Sequence, residues 1–262
     1  MLAVDLNADL AEGDVFSSTD IEILDTVTSA SLACGFHAGN RDVMRAAAAA
    51  SARRGVVIGA HVSFRDRTGF GRRSVEVSPT QLVDDIVEQC DVLAREAAEI
   101  GAIVEYVKPH GALYNQMGTD PSIAASVVEA VTHQPHRVLV AQSGAVVVDV
   151  ARRAGVRVIP EGFPDRGYLA GGQLVARHDE GAMVDDPDIA GQRAVSMVRR
   201  RGLLSIDGTW VAMAAETLCI HGDAPGAVAS ARRVRAALES DGITLRSFAR
   251  TPPPEPTDDR PT

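Results

Sequence analysis

Short apolar runs alternate with longer segments rich in Ala, Glu, Arg and Val along most of the chain. An uninterrupted apolar run is typical of a parallel strand, because helices cover both faces of a parallel sheet. The longer segments place apolar residues at helical spacing, as at Leu82, Ile86, Cys90, Leu93 and Ala97. This alternation predicts an α/β fold built around a parallel sheet.

Seven strands are predicted, at residues 3–10, 29–35, 56–61, 103–108, 137–141, 157–159 and 209–220. Helices are predicted at residues 40–54, from 78 through 97, and at 121–131, 144–154, 188–200 and 224–240. Glycines at 101, 155, 202 and 242 follow four of these helices, where glycine commonly ends a helix.

The length bounds the number of domains. A chain of 262 residues with 45% hydrophobic content suits one large unit, since α/β barrels of about 250 residues are often undivided. We predict a single βα-barrel domain over residues 1–246. Residues 247–262 are Pro-rich and too polar to pack, so we predict a disordered tail there.

Charge and patterning exclude several classes of partner. The formal charge of −9 would repel a nucleic-acid backbone, and the basic residues form no stripe. No segment approaches the roughly 20 apolar residues that a bilayer requires, and the first residues lack a secretory signal pattern. Three cysteines, Cys34, Cys90 and Cys219, form no C-x-x-C pair, which indicates reduced core thiols. We therefore expect a cytoplasmic protein without nucleic-acid or membrane partners.

Four histidines come directly after predicted strands: His37, His61, His110 and His221. In a βα barrel, the carboxyl ends of the strands converge on the face where catalytic groups lie. A single histidine there is explained equally well as a hydrogen-bonded residue that closes a strand. Four together favour a site.

Other polar residues are predicted at the same rim. Asp9 and Glu12 follow the first strand, where a carboxylate can be a base, a metal ligand or an orienting partner. Capping of a turn explains Glu12 equally well. Lys108 ends the fourth strand and, if buried, needs an anionic partner.

Two arginine-containing segments follow further strands. Arg72 and Arg73 come after the third strand and can grip carboxylate or phosphate, and residues 161–168, which include Arg166, follow the sixth. Phosphate-loop, nucleophile-elbow, zinc-helix and dinucleotide motifs are absent from the sequence. The residues alone thus predict a polar, histidine-rich, hydrolase-like site.

Taken in order, the motifs resemble the LamB/YcsF family up to about residue 243. The segments that carry the resemblance are residues 5–9, 33–39, 59–61, 69–73, 107–115, 165–166 and 219–223. The run Val-Lys-Pro-His-Gly-Ala-Leu-Tyr-Asn, combined with Cys-Gly-Phe-His-Ala-Gly, is the most specific part. Small departures occur, among them Ala11, where glycine is usual after Asp-Leu.

The resemblance implies a distorted seven-stranded βα barrel similar to the glycoside hydrolase/deacetylase superfamily. It also implies cleavage of 5-oxoproline to L-glutamate, with ATP as co-substrate together with Mg²⁺, in a 5-oxoprolinase that includes subunits B and C. Members of that superfamily commonly bind a divalent metal through an Asp and two histidines. The matching positions here are Asp9, His61 and His110.

A division of labour by charge follows as a hypothesis. The lactam is an unstrained amide, so ATP would activate it by phosphorylating its oxygen before water attacks. Expected catalytic residues are Asp9, His37, His61, Lys108 and His110. Expected substrate- or phosphate-binding residues are Arg72, Arg73, Asn115, Arg166 and His221, with Lys108 helping to hold negative charge.

Two alternatives remain open at this point. The chain can be a metal-dependent hydrolase or deacetylase that acts without ATP, which fits the histidine-rich rim. It can also be a non-catalytic subunit that binds substrate or stabilises its partners.

Overall fold

The computed structural model describes residues 2–220 and 226–250. Its strands are β1 (Ala3–Leu10), β2 (Ser29–Ala33), β3 (Val57–Val62), β4 (Val104–Pro109), β5 (Val138–Gln142), β6 (Arg157–Gly162), β7 (Gly202–Leu204), β8 (Trp210–Ala212), β9 (Thr217–Ile220) and β10 (Thr244–Leu245). Its α-helices are α1 (Ser18–Leu24), α2 (Arg41–Arg54), α3 (Pro79–Ala98), α4 (Gly111–Met117), α5 (Pro121–Thr132), α6 (Val147–Arg153), α7 (Pro187–Arg199) and α8 (Ala227–Ser240).

Seven parallel strands close into a barrel. The order around the ring is β1-β2-β3-β4-β5-β6-β9, and β9 pairs again with β1. The first strand therefore joins two neighbours that are far apart in sequence: β2 through residues 7–10 and β9 through residues 5–8. The predicted α/β fold with a seven-stranded βα barrel is confirmed.

Side-chain caps determine where helices α2 and α3 begin. The Asn40 side chain accepts a hydrogen bond from the backbone N–H of Val43 at the start of α2, and Ser78 does the same for Gln81 at the start of α3. Helix α6 begins three residues later than predicted, because Gly144 has a φ of 81°, outside the helical region.

The predicted strand over residues 209–220 is two strands. Its first part, β8, pairs antiparallel with β7 in a separate hairpin, and only β9 joins the barrel. The hairpin turns at Asp207-Gly208, where Gly208 has a φ of 83°. An Asp-Gly pair between apolar residues favours such a hairpin, so the sequence carried a signal for the turn between β7 and β8. Residues 213–216 separate β8 from β9.

A second apolar cluster extends the packed structure beyond residue 246. Phe248 is buried with Val57, Tyr106, Val140 and Ile159, and its ring lies edge-on to Tyr106 at 5.2 Å between centroids. The domain boundary placed after residue 246 thus falls inside a packed segment. Residues 251–262 of the predicted tail lie outside the described part of the chain. In residues 2–220 and 226–250, no helix is both long and apolar enough to span a bilayer.

Candidate functional site: a histidine and carboxylate cluster at the barrel rim

The turn after β1 brings two carboxylates to the rim. Ala11 has a φ of 62°, in the left-handed region that favours glycine. This conformation gives a reason why glycine is usual at this position in the family that the sequence resembles. The turn leaves the side chains of Asp9 and Glu12 only 14% and 15% exposed, close to the predicted histidines.

Three histidines and one carboxylate converge at this rim. His37 Nε2 lies 3.1 Å from Glu12 Oε1, and His61 Nε2 lies 3.0 Å from His110 Nδ1. Glu12 Oε1 is also 3.4 Å from His110 Nδ1. The four ligand atoms all lie within 4.8 Å of one another, so Glu12, His37, His61 and His110 form a cluster that can hold a metal ion. We call these four residues the rim cluster.

Two of the three rings, those of His61 and His110, also hydrogen-bond to a backbone carbonyl through their other nitrogen. His61 Nδ1 lies 2.9 Å from the carbonyl oxygen of Lys108, and His110 Nε2 lies 2.9 Å from that of Phe70. A carbonyl only accepts, so both of these nitrogens carry a hydrogen. The nitrogens that face the cluster are therefore lone-pair acceptors whenever these two rings are neutral.

Acceptor atoms at such short distances repel one another unless a proton or a cation lies between them. Burial lowers the pKa of His37 well below its usual range, and burial together with the neighbouring rings lowers the pKa of His110 to about 3. Burial also opposes charge on His61, but the Asp9 and Glu12 carboxylates outweigh it and raise its pKa. His61 is thus the ring that carries a proton when no other cation occupies the cluster.

Lys108 is a buried ammonium inside the barrel. Its side chain is 2% exposed, and its Nζ lies 2.9 Å from Asp9 Oδ1 and 2.8 Å from Glu161 Oε1. Burial opposes its charge, but Asp9, Cys219 and Glu161 raise its pKa well above the usual range. In return, the charges of His61 and Lys108 overcome the effect of burial and hold the pKa of Asp9 well below its ordinary value. Both groups therefore remain charged.

A polar network continues below Lys108 toward the amino-terminal end of the barrel. Glu161 accepts hydrogen bonds from Tyr114 and Asn7, and Asn7 also donates to Thr217 Oγ1 at 2.7 Å. Thr217 donates in turn to Asp5 Oδ2. The barrel interior is therefore partly polar, and the rim site is the upper end of a hydrogen-bonded column.

A cavity of about 760 Å³ opens beside the cluster, within the usual range of about 300–1,000 Å³ for small-ligand sites. Residues of several rim loops line it, including 142–145 and 171–178. Of the residues predicted from the sequence, the lining includes Asp9, His61, Arg72, Lys108, His110, Asn115 and Arg166.

The remaining predicted residues lie elsewhere. His37 belongs to the rim cluster but not to the cavity lining, and Arg73 is ion-paired with Asp66 and also absent from the lining among the described residues. His221 lies outside the described residues.

Asp9 contacts the cluster through Oδ2, 3.4 Å from His61 Nε2, while its Oδ1 accepts from Lys108.

Arg166 presents a guanidinium to the cavity. It is 6% exposed, and it donates to the backbone carbonyls of Val175 and Ala182. No carboxylate lies within ion-pair distance of it among residues 2–220 and 226–250. Burial and the nearby Arg177 lower its pKa. An anion bound in the cavity would relieve this unfavourable environment.

Several residues of the site were not predicted. Glu161 lies in the predicted rim segment 161–168 but had no predicted role of its own. Ser63, whose hydroxyl lies 3.0 Å from His37 Nδ1, and Gln89, which accepts a hydrogen bond from the Ser63 backbone N–H, had none either. Glu161 lies at the end of β6 and therefore had the same positional signal as the histidines. Gln89 interrupts the apolar face of α3, and a polar residue in such a face is a signal that could have been used.

Fold and site together define a class: a closed parallel βα barrel with a histidine and carboxylate site of hydrolase type at the carboxyl ends of its strands. The LamB/YcsF family model matches residues 4–252. The chain is 47% identical to a protein of Streptomyces griseus named as the A subunit of 5-oxoprolinase, over 94% of this chain and 100% of that protein. It is 45% identical to the protein of the same name from Cutibacterium acnes, over 95% and 100%.

A solved structure agrees with these matches. The lactam utilization protein from Thermus thermophilus superposes with a TM-score of 0.89 at 41% identity, covering 94% of this chain and 100% of that one. The chain belongs to the LamB/YcsF family.

The buried Asp5 carboxyl predicts a pH response of stability. Burial raises its pKa from 3.8 to about 6 despite three hydroxyl donors. The folded state then binds the proton more tightly than the unfolded state, so this group lowers stability as pH rises from about 4 to 6. Asp5→Asn should remove this loss in the free energy of unfolding, which amounts to up to about 3 kcal/mol. Urea unfolding across this pH range measures the change. The exposed variant Asp149→Asn is the control, and an unchanged pH profile for Asp5→Asn would contradict the assignment.

Proposed function

We propose that this chain is the A component of an ATP-dependent 5-oxoprolinase, which opens the lactam of 5-oxoproline to give L-glutamate together with subunits B and C. The observation that carries the proposal is the cavity that Asp9 and the Lys108 ammonium line beside the rim cluster. Relatives named as the A subunit of 5-oxoprolinase match it along nearly its whole length. ATP with Mg²⁺ is the co-substrate of the assembled enzyme.

The charges of the cavity fit the steps of lactam opening. Asp9 stays ionised and lies beside the cluster, where it can orient water for attack on the lactam carbon. Lys108 lies next to Asp9 and would stabilise negative charge that develops on the carbonyl or phosphate oxygen. Arg166 would bind the substrate carboxylate, and Arg72 and Asn115 provide further polar contacts in the cavity.

We also propose that a divalent cation binds at Glu12, His37, His61 and His110. The ligand set of three imidazoles and one carboxylate suits zinc, and hydrogen bonds on the outer ring nitrogens are typical of protein metal sites. The cation would supply Lewis acidity beside the cavity. It would also take the place of the proton on His61, so that a positive charge still offsets the repulsion between the neighbouring acceptor atoms.

The proposed function predicts activity only in the complete mixture. Release of glutamate and ADP from 5-oxoproline and ATP is measured with this chain alone, with subunits B and C alone, and with all three. His110→Ala should lower the rate of the full mixture at least about 100-fold, because it removes a group at the reacting centre. The exposed variant His136→Ala is the control. Lys108→Ala is less informative, because it leaves Asp9 and Glu161 uncompensated.

Other outcomes point to the alternatives. ATP-independent hydrolysis by the isolated chain with Zn²⁺ would support a metal-dependent hydrolase, which the rim cluster also fits. Full activity of a complex that carries Asp9→Ala, His37→Ala and His110→Ala would support a non-catalytic role.

The proposed carboxylate contact predicts a selective effect on substrate binding. Arg166→Gln should raise the KM for 5-oxoproline about 10- to 100-fold, since hydrogen bonds to charged groups contribute about 1.5–3 kcal/mol. Arg152→Gln, an exposed arginine of α6, should leave KM unchanged. A normal KM for a well-folded Arg166→Gln enzyme would exclude this role.

The proposed cation site predicts stoichiometric Zn²⁺ binding with proton release. Because the pKa of His61 is raised, binding near neutral pH should displace a proton from it. Calorimetry in buffers of different ionisation enthalpy measures this release. Glu12→Gln should weaken binding, whereas the exposed control Glu76→Gln should not. Equal affinity of Glu12→Gln and the parent chain would argue against this ligand set.

A further inference from the structure

Helix α7 carries an arginine, Arg193, that is half-buried but does not line the cavity. Burial lowers the pKa of its guanidinium. No carboxylate lies within ion-pair distance of it in the two described ranges, 2–220 and 226–250. A cation that loses water is unfavourable unless other polar groups replace that water, so the partners of Arg193 indicate why an arginine lies here.

These partners are backbone carbonyls of the segment that follows β6. Arg193 Nε donates to the carbonyl of Pro164 at 2.9 Å, and Nη2 donates to the carbonyl of Arg166 at 2.5 Å. Nη1 lies 3.4 Å from the carbonyl oxygen of Leu204 in the β7–β8 hairpin. The N–H groups of a guanidinium have fixed directions in one plane. Arg193 therefore fixes the directions of two carbonyls that are two residues apart, one of them that of Arg166.

Arg166 extends from this backbone to the cavity, which its guanidinium lines. Its Nε donates to the carbonyl of Ala182 at 3.1 Å, and its Nη2 donates to that of Val175 at 2.7 Å. Both carbonyls belong to residues 163–184, which we call the cavity loop. These two bonds hold the guanidinium relative to its own loop, but they do not attach the loop to the rest of the barrel.

Arg193 supplies such an attachment. Hydrogen bonds of 2.9 Å from Gly167 N–H to the Ala182 carbonyl and from Val184 N–H to the Asp165 carbonyl join the two arms of the cavity loop. Arg193 bonds to the first arm from outside the loop. Its helix is anchored in the core by Ala190, Ala194 and Met197. The guanidinium of Arg193 thus connects the loop that carries Arg166 to a packed helix.

We propose that Arg193 is a positioning residue, which holds the backbone of residues 164–166 and thereby aims Arg166 into the cavity. The use of Arg166 as the partner of the substrate carboxylate rests on the proposed function, but the anchoring of the cavity loop does not. Loss of this anchor should weaken substrate binding and leave the reacting groups at Asp9 and the rim cluster in place.

The test uses the full chain and a conservative variant. Arg193→Lys keeps the positive charge, but an ammonium lacks the planar fork that matches two carbonyls. Arg199→Lys is the matched control, because Arg199 lies on the same helix and bonds to Asp241 at the surface. KM and kcat for 5-oxoproline are measured with subunits B and C, for each variant alone and combined with Arg166→Gln. Hydrogen exchange of residues 163–184 is measured by mass spectrometry on each isolated chain.

Arg193→Lys should raise KM about 3- to 10-fold, the size expected from losing an ordinary hydrogen bond, and should leave kcat within about 2-fold. Combined with Arg166→Gln, it should cause no further rise in KM, because its effect acts through Arg166. Arg199→Lys should change neither constant. A normal KM for Arg193→Lys, or the same rise in KM with and without Arg166→Gln, would overturn the inference.

Hydrogen exchange separates this inference from the proposed function. The cavity loop, including the amides of Gly167 and Val184, should exchange faster in Arg193→Lys but not in Arg199→Lys, because an unanchored loop opens more often. Inactivity of every mixture that contains the parent chain would reject the proposed function, and exchange would then decide the anchoring. Equal exchange in Arg193→Lys and the parent chain would in that case refute the role of Arg193.

Discussion

The arrangement of the site depends on one buried charge, the ammonium of Lys108. A charge that is removed from water must find partners of opposite sign, and Lys108 finds Asp9 on β1 and Glu161 on β6. These ion pairs fix β1 and β6 relative to β4. Asn7 and Tyr114 complete the environment of Glu161, so the polar interior and the rim form one connected structure.

The histidine nitrogens at the rim also need partners, because they are buried hydrogen-bond acceptors that lie close to one another. Three rings whose outer nitrogens are satisfied by Lys108, Phe70 and Ser63 direct their remaining nitrogens at Glu12. Such an arrangement is favourable only around a proton or a cation. The loop from Ser63 to Phe70 supplies two of these three outer partners. The ion pair of Asp66 with Arg73 stabilises that loop, which gives Arg73 a structural role distinct from that of Arg72 at the cavity.

The sequence predicted what depends on local pattern. Apolar runs located the barrel strands, and three of the four histidines that follow predicted strands, His37, His61 and His110, lie together at the rim. It did not distinguish Arg72 from Arg73, because neighbouring residues of a loop can point in different directions and the pairing with Asp66 is tertiary. It predicted residues 209–220 as one strand, because apolar composition hides the break at residues 213–216 between β8 and β9. The partners of Ser63 and Gln89 were not predicted, because their hydrogen bond joins residues 26 positions apart, although the polar Gln89 in an apolar helix face was a local signal.

Closure of the ring has a consequence for how the chain acquires its site. The bonds of Lys108 to Asp9 and Cys219 span 99 and 111 positions, and Asn7 reaches Thr217 across 210. Contacts so distant in sequence form late and raise the contact order, which slows folding. A partly folded chain in which β9 has not joined β1 would lack the complete column beneath the rim. Any ligand of the rim therefore selects the closed barrel and stabilises it by mass action, from the first strand to the last.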